Sequence, residues 1–520
     1  MAASRRQATP AQQALLVGAV FFIAYLLTRT RDLGGDDSVF AMAVDSFLSG
    51  GGPSREVFHP HHPVFNPLVA ALCWLARLVG LHPFVPDAGA AVAALAAAVV
   101  VGGLVLVLRG ARLGEGAALM GAAVAGVSGG LWQYATRMEV YALAAAAVLL
   151  WLAVAGRDRP APVPTGASLA ATILGHLATG LLVVPTAIRM RKRPFALVQA
   201  LAVGLGLAAV ALIAMLVLAH HAYTPRQWLQ VVLPAHNTPY LQQPRPGAML
   251  AALRGLALWN WYHTVPVFSA TTARWLDVAG NAAVALLAVL LIAGLRAAVR
   301  DRSAVAVTAS LALAAYVPLW LIWDAGNPEH AVAATPLLAV LIAFGAATLP
   351  RRSGELALGG ALILLLIVNG LASAVPQSRP ENSRNWVIAS FVSSSVPDDA
   401  LLLSVGVEPT LRLSLPYLSG RRVVTLTLDV NSARRQGRPP LDGLSYWLRA
   451  GGAARSVWVT PDVLNPESVP WIEQLGIPGA IWVRFARAIR PGQQRVLPPD
   501  GVVIREPFIL TEITLANRPP

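Results

Sequence analysis

Apolar residues in this chain fall into repeated runs of roughly twenty, the length a helix needs to cross a bilayer. That pattern limits the fold more than any motif does. After an opening run from Gln12 to Thr28, further runs cover about 87–108, 115–131, 139–156, 166–188, 196–219, 277–297, 303–323, 330–348 and 355–374. Only 13% of the 520 residues are charged, about half of what a soluble domain carries. The basic excess gives a formal net charge of +14, and Lys192 is the only lysine. The arginines sit in short loops between runs, so membrane orientation explains them better than nucleic acid does. The single cysteine, Cys73, lies in an apolar segment and forms no intrachain disulfide.

The first run ends in Thr28-Arg29-Thr30-Arg31 without a small-residue cleavage site, so it reads as a retained span rather than a signal peptide. The loops Arg109 to Arg112, Arg157 to Arg159, Arg189 to Arg193, Arg296 to Arg302 and Arg351-Arg352 are expected on the cytoplasmic side. That sidedness requires 64–80, with Trp74 and Arg77, to lie along the outer interface. It also requires 166–188 to enter and leave on one side, as two half-helices meeting at Gly175-His176-Leu177-Ala178-Thr179-Gly180. A single span with one violating loop is the alternative. A broken backbone of this kind is tolerated where it is buried in protein or lines a cavity. The expected fold class is an α-helical polytopic membrane protein of about eleven spans. Its N-terminus is cytoplasmic and an extracytoplasmic α/β domain follows at the C-terminus.

Residues 1–375 form the expected membrane domain, with a first outer loop over 29–86, and 376–520 form the second domain. In that tail Ala400 to Ser404, Val423 to Leu426, Ser456 to Val459 and Ala480 to Val483 read as strands of a largely parallel sheet. Asn385 to Ser395, Pro409 to Leu418 and Leu441 to Ala450 read as helices. No Gly-rich phosphate loop precedes a helix there.

The polar residues gather on the face opposite the arginine loops. Asp36 and Asp37 follow the first span; a carboxylate near lipid has a raised pKa and suits a general base, or it caps the next helix, and both hold together if one Asp caps while the other is free. His59, His61 and His62 are held extended by Pro60 and Pro63, with no local acid or cysteine to complete a metal set, so no metal site is assigned. They suit substrate hydrogen bonding or interfacial placement. Arg137 and Glu139 lie at one mouth of two spans beside Tyr141, as an ion pair or as ligands for a phosphate and a polar substrate. His176 sits at the break. Asp324, Asn327, Glu329 and His330 make another polar turn. The loop 220–276 is rich in aromatics, which fit an interfacial belt or sugar stacking; Arg245 and Arg254 are its phosphate candidates.

An acidic pair after the first span, a His-Pro element and Glu139-Val140-Tyr141-Ala142-Leu143, with Gly175 to Thr179 beyond, resemble GT-C glycosyltransferases. The nearest branch is that related to protein O-mannosyltransferases. The resemblance covers about 1–375, and two positions depart from that branch: Val39 replaces a common Glu, and His61-His62 replaces Pro-Gly. It implies an inverting transferase that moves a sugar from a polyprenyl-phosphate carrier to a protein, lipid or glycan acceptor. By resemblance, Asp36 falls where the catalytic Asp lies, with Asp37 beside it. His59, His62, Arg137, Glu139, Tyr141, His176, Arg254, Asp324 and Glu329 are the expected substrate-binding residues. No cofactor is implied, the other partners are membrane lipids, and the resemblance places the chain in a bacterial inner membrane. Two rivals are a transporter or flippase, which needs an internal repeat or paired broken helices, and a non-catalytic envelope scaffold.

Overall fold

The computed structural model of the chain describes residues 8–51, 57–232, 268–322, 329–408, 410–454 and 456–515. Arg245, Arg254, Asp324 and Asn327 lie outside the described residues, as does most of the aromatic loop. The chain divides into two compact units: residues 1–30 with 43–376, and residues 31–42 with 377–520.

The first unit is helical. Among the described residues, five helices are long and apolar enough to cross a membrane by length and composition: Pro10–Leu27 (α1), Val85–Gly110, Pro194–Leu218, Ala270–Asp301 and Arg351–Gln377. The second of these is mostly buried by its neighbours, whereas Pro194–Leu218 turns Phe195, Val198, Leu207 and Val210 outward. An outward apolar face of that size suits lipid and not water. The helix Phe65–Leu78 is amphipathic, burying Phe65, Val69 and Cys73 and exposing Leu72, Trp74 and Leu75. At about 1.5 Å per residue it falls short of a bilayer core. The expected run 115–131 is interrupted, because one helix ends at Gly126 and the next begins at Gly129. The 166–188 run breaks at His176, where Pro162–Gly175 ends and the backbone is extended before a 3-10 turn, Leu177–Leu182.

The second unit is a five-stranded sheet of order β2-β1-β3-β5-β4. Its strands are Leu401–Ser404 (β1), Arg422–Thr425 (β2), Val457–Val459 (β3), Ile489–Leu497 (β4) and Phe508–Leu515 (β5). β1 pairs in parallel with β2 and β3, while β5 runs antiparallel to β3 and β4, so the sheet is mixed rather than largely parallel. Alternation along β1 and β3 sends Leu401, Leu403, Val457 and Val459 to one core and Leu402 and Trp458 to another. Both faces are covered, which is why these strands read as continuous apolar runs. Ala480 to Val483 is not a strand but part of the helix Gly479–Ala488. Trp482 and Phe485 share a helical face and pack on Trp447 at 5.7 and 5.5 Å.

Candidate active site

In the first unit the segment from Val57 to Val64 is held at both ends by histidine rings. His220 Nε2 lies 2.8 Å from the Phe58 carbonyl, and His61 Nε2 lies 2.8 Å from the Val232 carbonyl. The Leu177 N–H donates to the His61 carbonyl at 2.7 Å, so this loop is fastened to the residue after the broken helix. His59 stacks on His62 at 4.2 Å and meets His61 edge-on at 5.2 Å. Burial holds the His62 imidazole well below its usual range, and the neighbouring His59, His176 and His61 add to this. Among the described residues, no three His, Cys, Asp or Glu side chains are grouped to hold a metal ion.

The break exists because Gly175 ends the helix and His176 adopts φ −162°, with its Nδ1 accepting from the Ala178 N–H at 3.2 Å. The His176 ring then lies 5.5 Å from that of Tyr141. The Tyr141 hydroxyl donates to Glu329 Oε2 at 3.0 Å, and the Tyr134 ring packs 4.9 Å from Tyr141. Glu139 is buried, and its charge and that of Arg137 act on Tyr134 beside it. Tyr141, His176, Thr179, Tyr316 and Glu329, with Ala178, Leu319 and Ala333, line a small pocket of about 10 Å³, the room of roughly one water. Tyr316 carries no signal in the sequence beyond being a polar group within an apolar run; its buried hydroxyl has no hydrogen-bond partner among the described residues.

A larger cavity of about 460 Å³ adjoins the same loop, lined by Phe58, Pro63, Leu68, Leu174, Met215 and Leu218 among other apolar residues. The lining of one cavity includes Leu174 and that of the other His176, so the break borders both.

Asp36 and Asp37 belong to the second unit, in the first turn of the helix Gly35–Leu48 (α2). Asp37 is 0% exposed, and its Oδ2 accepts from the Gly34 N–H at 2.7 Å. That bond is the acidic half of a capping box, made by the third helical residue to the backbone before the helix. Asp36, next along, is exposed. The adjacent carboxylates therefore differ in environment, and the sequence does not say which of the two caps the helix. His330 is in a short helix whose next residues are buried, and Glu329 is its first residue.

No family model matches the sequence, and no curated protein matches it. Among solved structures, the fold is similar to ArnT from Cupriavidus metallidurans in the apo state, with a TM-score of 0.62 at 14% identity over 97% of this chain and 98% of that one. ArnT from the same organism bound to undecaprenyl phosphate gives a TM-score of 0.57 at 14% identity, over 98% of each chain. ArnT is a GT-C glycosyltransferase, and the present chain has the GT-C fold.

Proposed function

We propose that the protein is an inverting glycosyltransferase that moves a sugar from a polyprenyl-phosphate carrier to a protein, lipid or glycan acceptor on the outer face of the membrane. The observation that carries this reading is an apolar cavity of about 460 Å³ that reaches the helix break at Leu174, with Tyr141, His176 and Glu329 gathered at the same break. A lipid-linked sugar joins an apolar chain, which such a cavity suits, to a charged phosphate and hydroxyl-rich ring, which polar side chains suit. The GT-C fold and the carrier bound in the ArnT structure support it.

In the proposed reaction, the acceptor hydroxyl attacks the anomeric carbon from the face opposite the phosphate. The carbon–phosphate oxygen bond breaks with its electron pair leaving on the carrier phosphate, and the configuration inverts. Asp36 takes the hydroxyl proton as general base. Its exposure favours it over Asp37, whose carboxylate is committed to the helix start. Arg137 and Arg254 are assigned to the carrier phosphate, where cations stabilise the leaving charge. His59, His62, Glu139, Tyr141, His176, Asp324 and Glu329 are assigned to sugar and acceptor hydroxyls. The bacterial inner membrane, with a cytoplasmic N-terminus and an extracytoplasmic C-terminal domain, is part of the same proposal.

The test uses the full chain in nanodiscs with undecaprenyl-phosphate-linked hexoses and pentoses. Asp36→Asn is expected to lower turnover by about 10²–10⁴-fold, the usual worth of a general base. Leu174→Trp, which narrows the apolar cavity at the helix break, is expected to weaken undecaprenyl phosphate binding about tenfold. Full turnover in Asp36→Asn eliminates that residue as the base. Unchanged carrier binding in Leu174→Trp removes the cavity from the carrier site.

A further inference from the structure

We infer that Asn385, with Ser414 beside it, is a positioning residue for Asp36, so that the C-terminal domain sets where the proposed base stands. This rests on the reading of Asp36 as base. The segment 31–42 packs within the second unit, together with 377–520. Its attachment is a set of hydrogen bonds converging on the residues just before α2.

Asn385 is buried in the first turn of the helix Arg384–Ser395. Its Nδ2 donates to the Leu33 carbonyl at 2.5 Å and to Asp32 Oδ1 at 3.3 Å. Its Oδ1 accepts from the Thr410 hydroxyl at 2.7 Å. Ser414 Oγ donates to the same Leu33 carbonyl at 3.2 Å and lies 3.3 Å from Ser38 Oγ, in the first turn of α2. Ser383 Oγ lies 3.4 Å from Asp32 Oδ1, and the Arg31 N–H donates to the Gln377 carbonyl at 2.8 Å. Leu33 itself is buried.

The chemistry of these partners fixes the residue type. A carbonyl and a carboxylate can only accept, while the Thr410 hydroxyl donates, so one amide of this size meets all three. Aspartate has the same shape but would turn an acceptor toward two acceptors. The clamp also stands on a firm base, since Ile388, Ala389 and Val392 of the same helix are buried in one core of the sheet. Asp36 follows Leu33 by three residues, so fixing that carbonyl fixes the start and rotation of the helix that presents it. Displacing a catalytic group by about 1 Å can cost about 10²-fold in rate, which is why a side chain remote from the substrate matters here.

The experiment compares Asn385→Ala, Asn385→Asp, Ser414→Ala and Asp36→Asn in the full chain in nanodiscs. Transfer is measured from undecaprenyl-phosphate-linked hexoses and pentoses, and amide hydrogen exchange is read in parallel. The expected result for Asn385→Ala is a kcat lower by roughly 30- to 100-fold, with KM changed less than about threefold. Exchange over 33–40 speeds about tenfold while β1 and β3 stay protected. Asn385→Asp does not rescue, because donation and not volume is lost. Ser414→Ala shows the same pattern at about three- to tenfold in kcat, and decides the matter if Asn385→Ala also unprotects the strands. Unchanged kcat and unchanged exchange over 33–40 in these variants overturn the inference, as does a loss confined to KM. Full turnover in Asp36→Asn instead overturns the base reading, and the exchange result then stands as a separate finding about the segment.

Discussion

Replacing Asp462 with Ala removes the carboxylate around which the C-terminal edge of β1 is arranged. Asp462 is buried; Oδ2 accepts from the Gly406 N–H at 2.8 Å and the Val407 N–H at 3.3 Å, and Oδ1 from the Val405 N–H at 3.4 Å. The Thr460 hydroxyl donates to Oδ1 at 2.5 Å. Burial pushes this carboxyl upward, against the pull of the Thr460 hydroxyl and the three backbone donors. In the alanine variant Thr460 can fall back on the Leu403 carbonyl, 3.3 Å away, and Gly406 on Ser404 Oγ at 3.0 Å. Val405 and Val407 have no such second acceptor among the described hydrogen bonds. A buried donor left unmade costs about 1–3 kcal/mol, less for the longer bonds here, so the total loss is about 3 kcal/mol. For a unit of this size that lowers Tm by about 6–12 °C. Asp462→Asn keeps the volume but can turn an amide donor toward the backbone donors, and should recover half the loss at most. Thermal unfolding of the full chain in detergent, with hydrogen exchange to locate the transition, checks both variants. The loop after β1 leads directly into 410–418, so exchange at Thr410 and Ser414 should rise as well. A Tm shift below about 2 °C would refute the view that one carboxylate organises this edge.

Burial pushes the Asp429 carboxyl up to about 6, and its Oδ2 lacks a partner among the described residues. The folded value is raised, so this group's contribution is complete below about pH 4 and is lost as pH climbs through about 6. The raw shift is discounted for partial solvent screening, so Asp429→Asn should stabilise the unit by about 1 kcal/mol at pH 8 and not at pH 4, read by thermal unfolding at both. His62 has the opposite sign: its folded value is depressed, so stability is present above about pH 6.5 and falls as pH drops. His62→Gln should flatten that loss in a pH series of thermal inactivation. Gly345→Ala would drive a Cβ into the Leu290 carbonyl oxygen, forcing two packed helices apart. A loss of about 1–3 kcal/mol is expected, seen as faster inactivation in detergent. Tyr141→Phe removes the 3.0 Å bond to Glu329 and should lower transfer about tenfold with little change in Tm, measured with the same undecaprenyl-phosphate-linked sugars.

Much of the helical unit was legible because lipid imposes a length and a composition on every span. The break at His176 was legible too, since glycines flank a polar residue inside an apolar run. The interruption at Val127-Ser128 was not, because Gly, Ala and Val there continue the hydropathy of the run. Short apolar runs in the C-terminal unit misled for a different reason. Four residues such as Ala480 to Val483 fit a strand or a helix equally well, and packing of Trp482 on Trp447 selects the helix. β4 went unread because most of its residues are exposed and it contains Pro491 and Gly492, so no alternation marks it.

By itself the sequence determined that the chain is a membrane protein, that its polar residues collect around a few turns, and that the GT-C pattern is present. The first two follow from composition and local spacing; the third is a resemblance carried by the acidic pair, the His-Pro element and Glu139 to Leu143. Tertiary structure decided the rest. Tyr141 and Glu329 are 188 residues apart and meet only when helices pack. Asp36 and Asp37 are adjacent and chemically alike; their difference comes from how α2 begins, with the Asp37 carboxylate buried on the backbone and Asp36 exposed. Asn385 holds Leu33 across 352 residues of chain. Hydrogen bonds of that span are set by which surfaces bury each other, a property of the whole fold that no local window of residues contains.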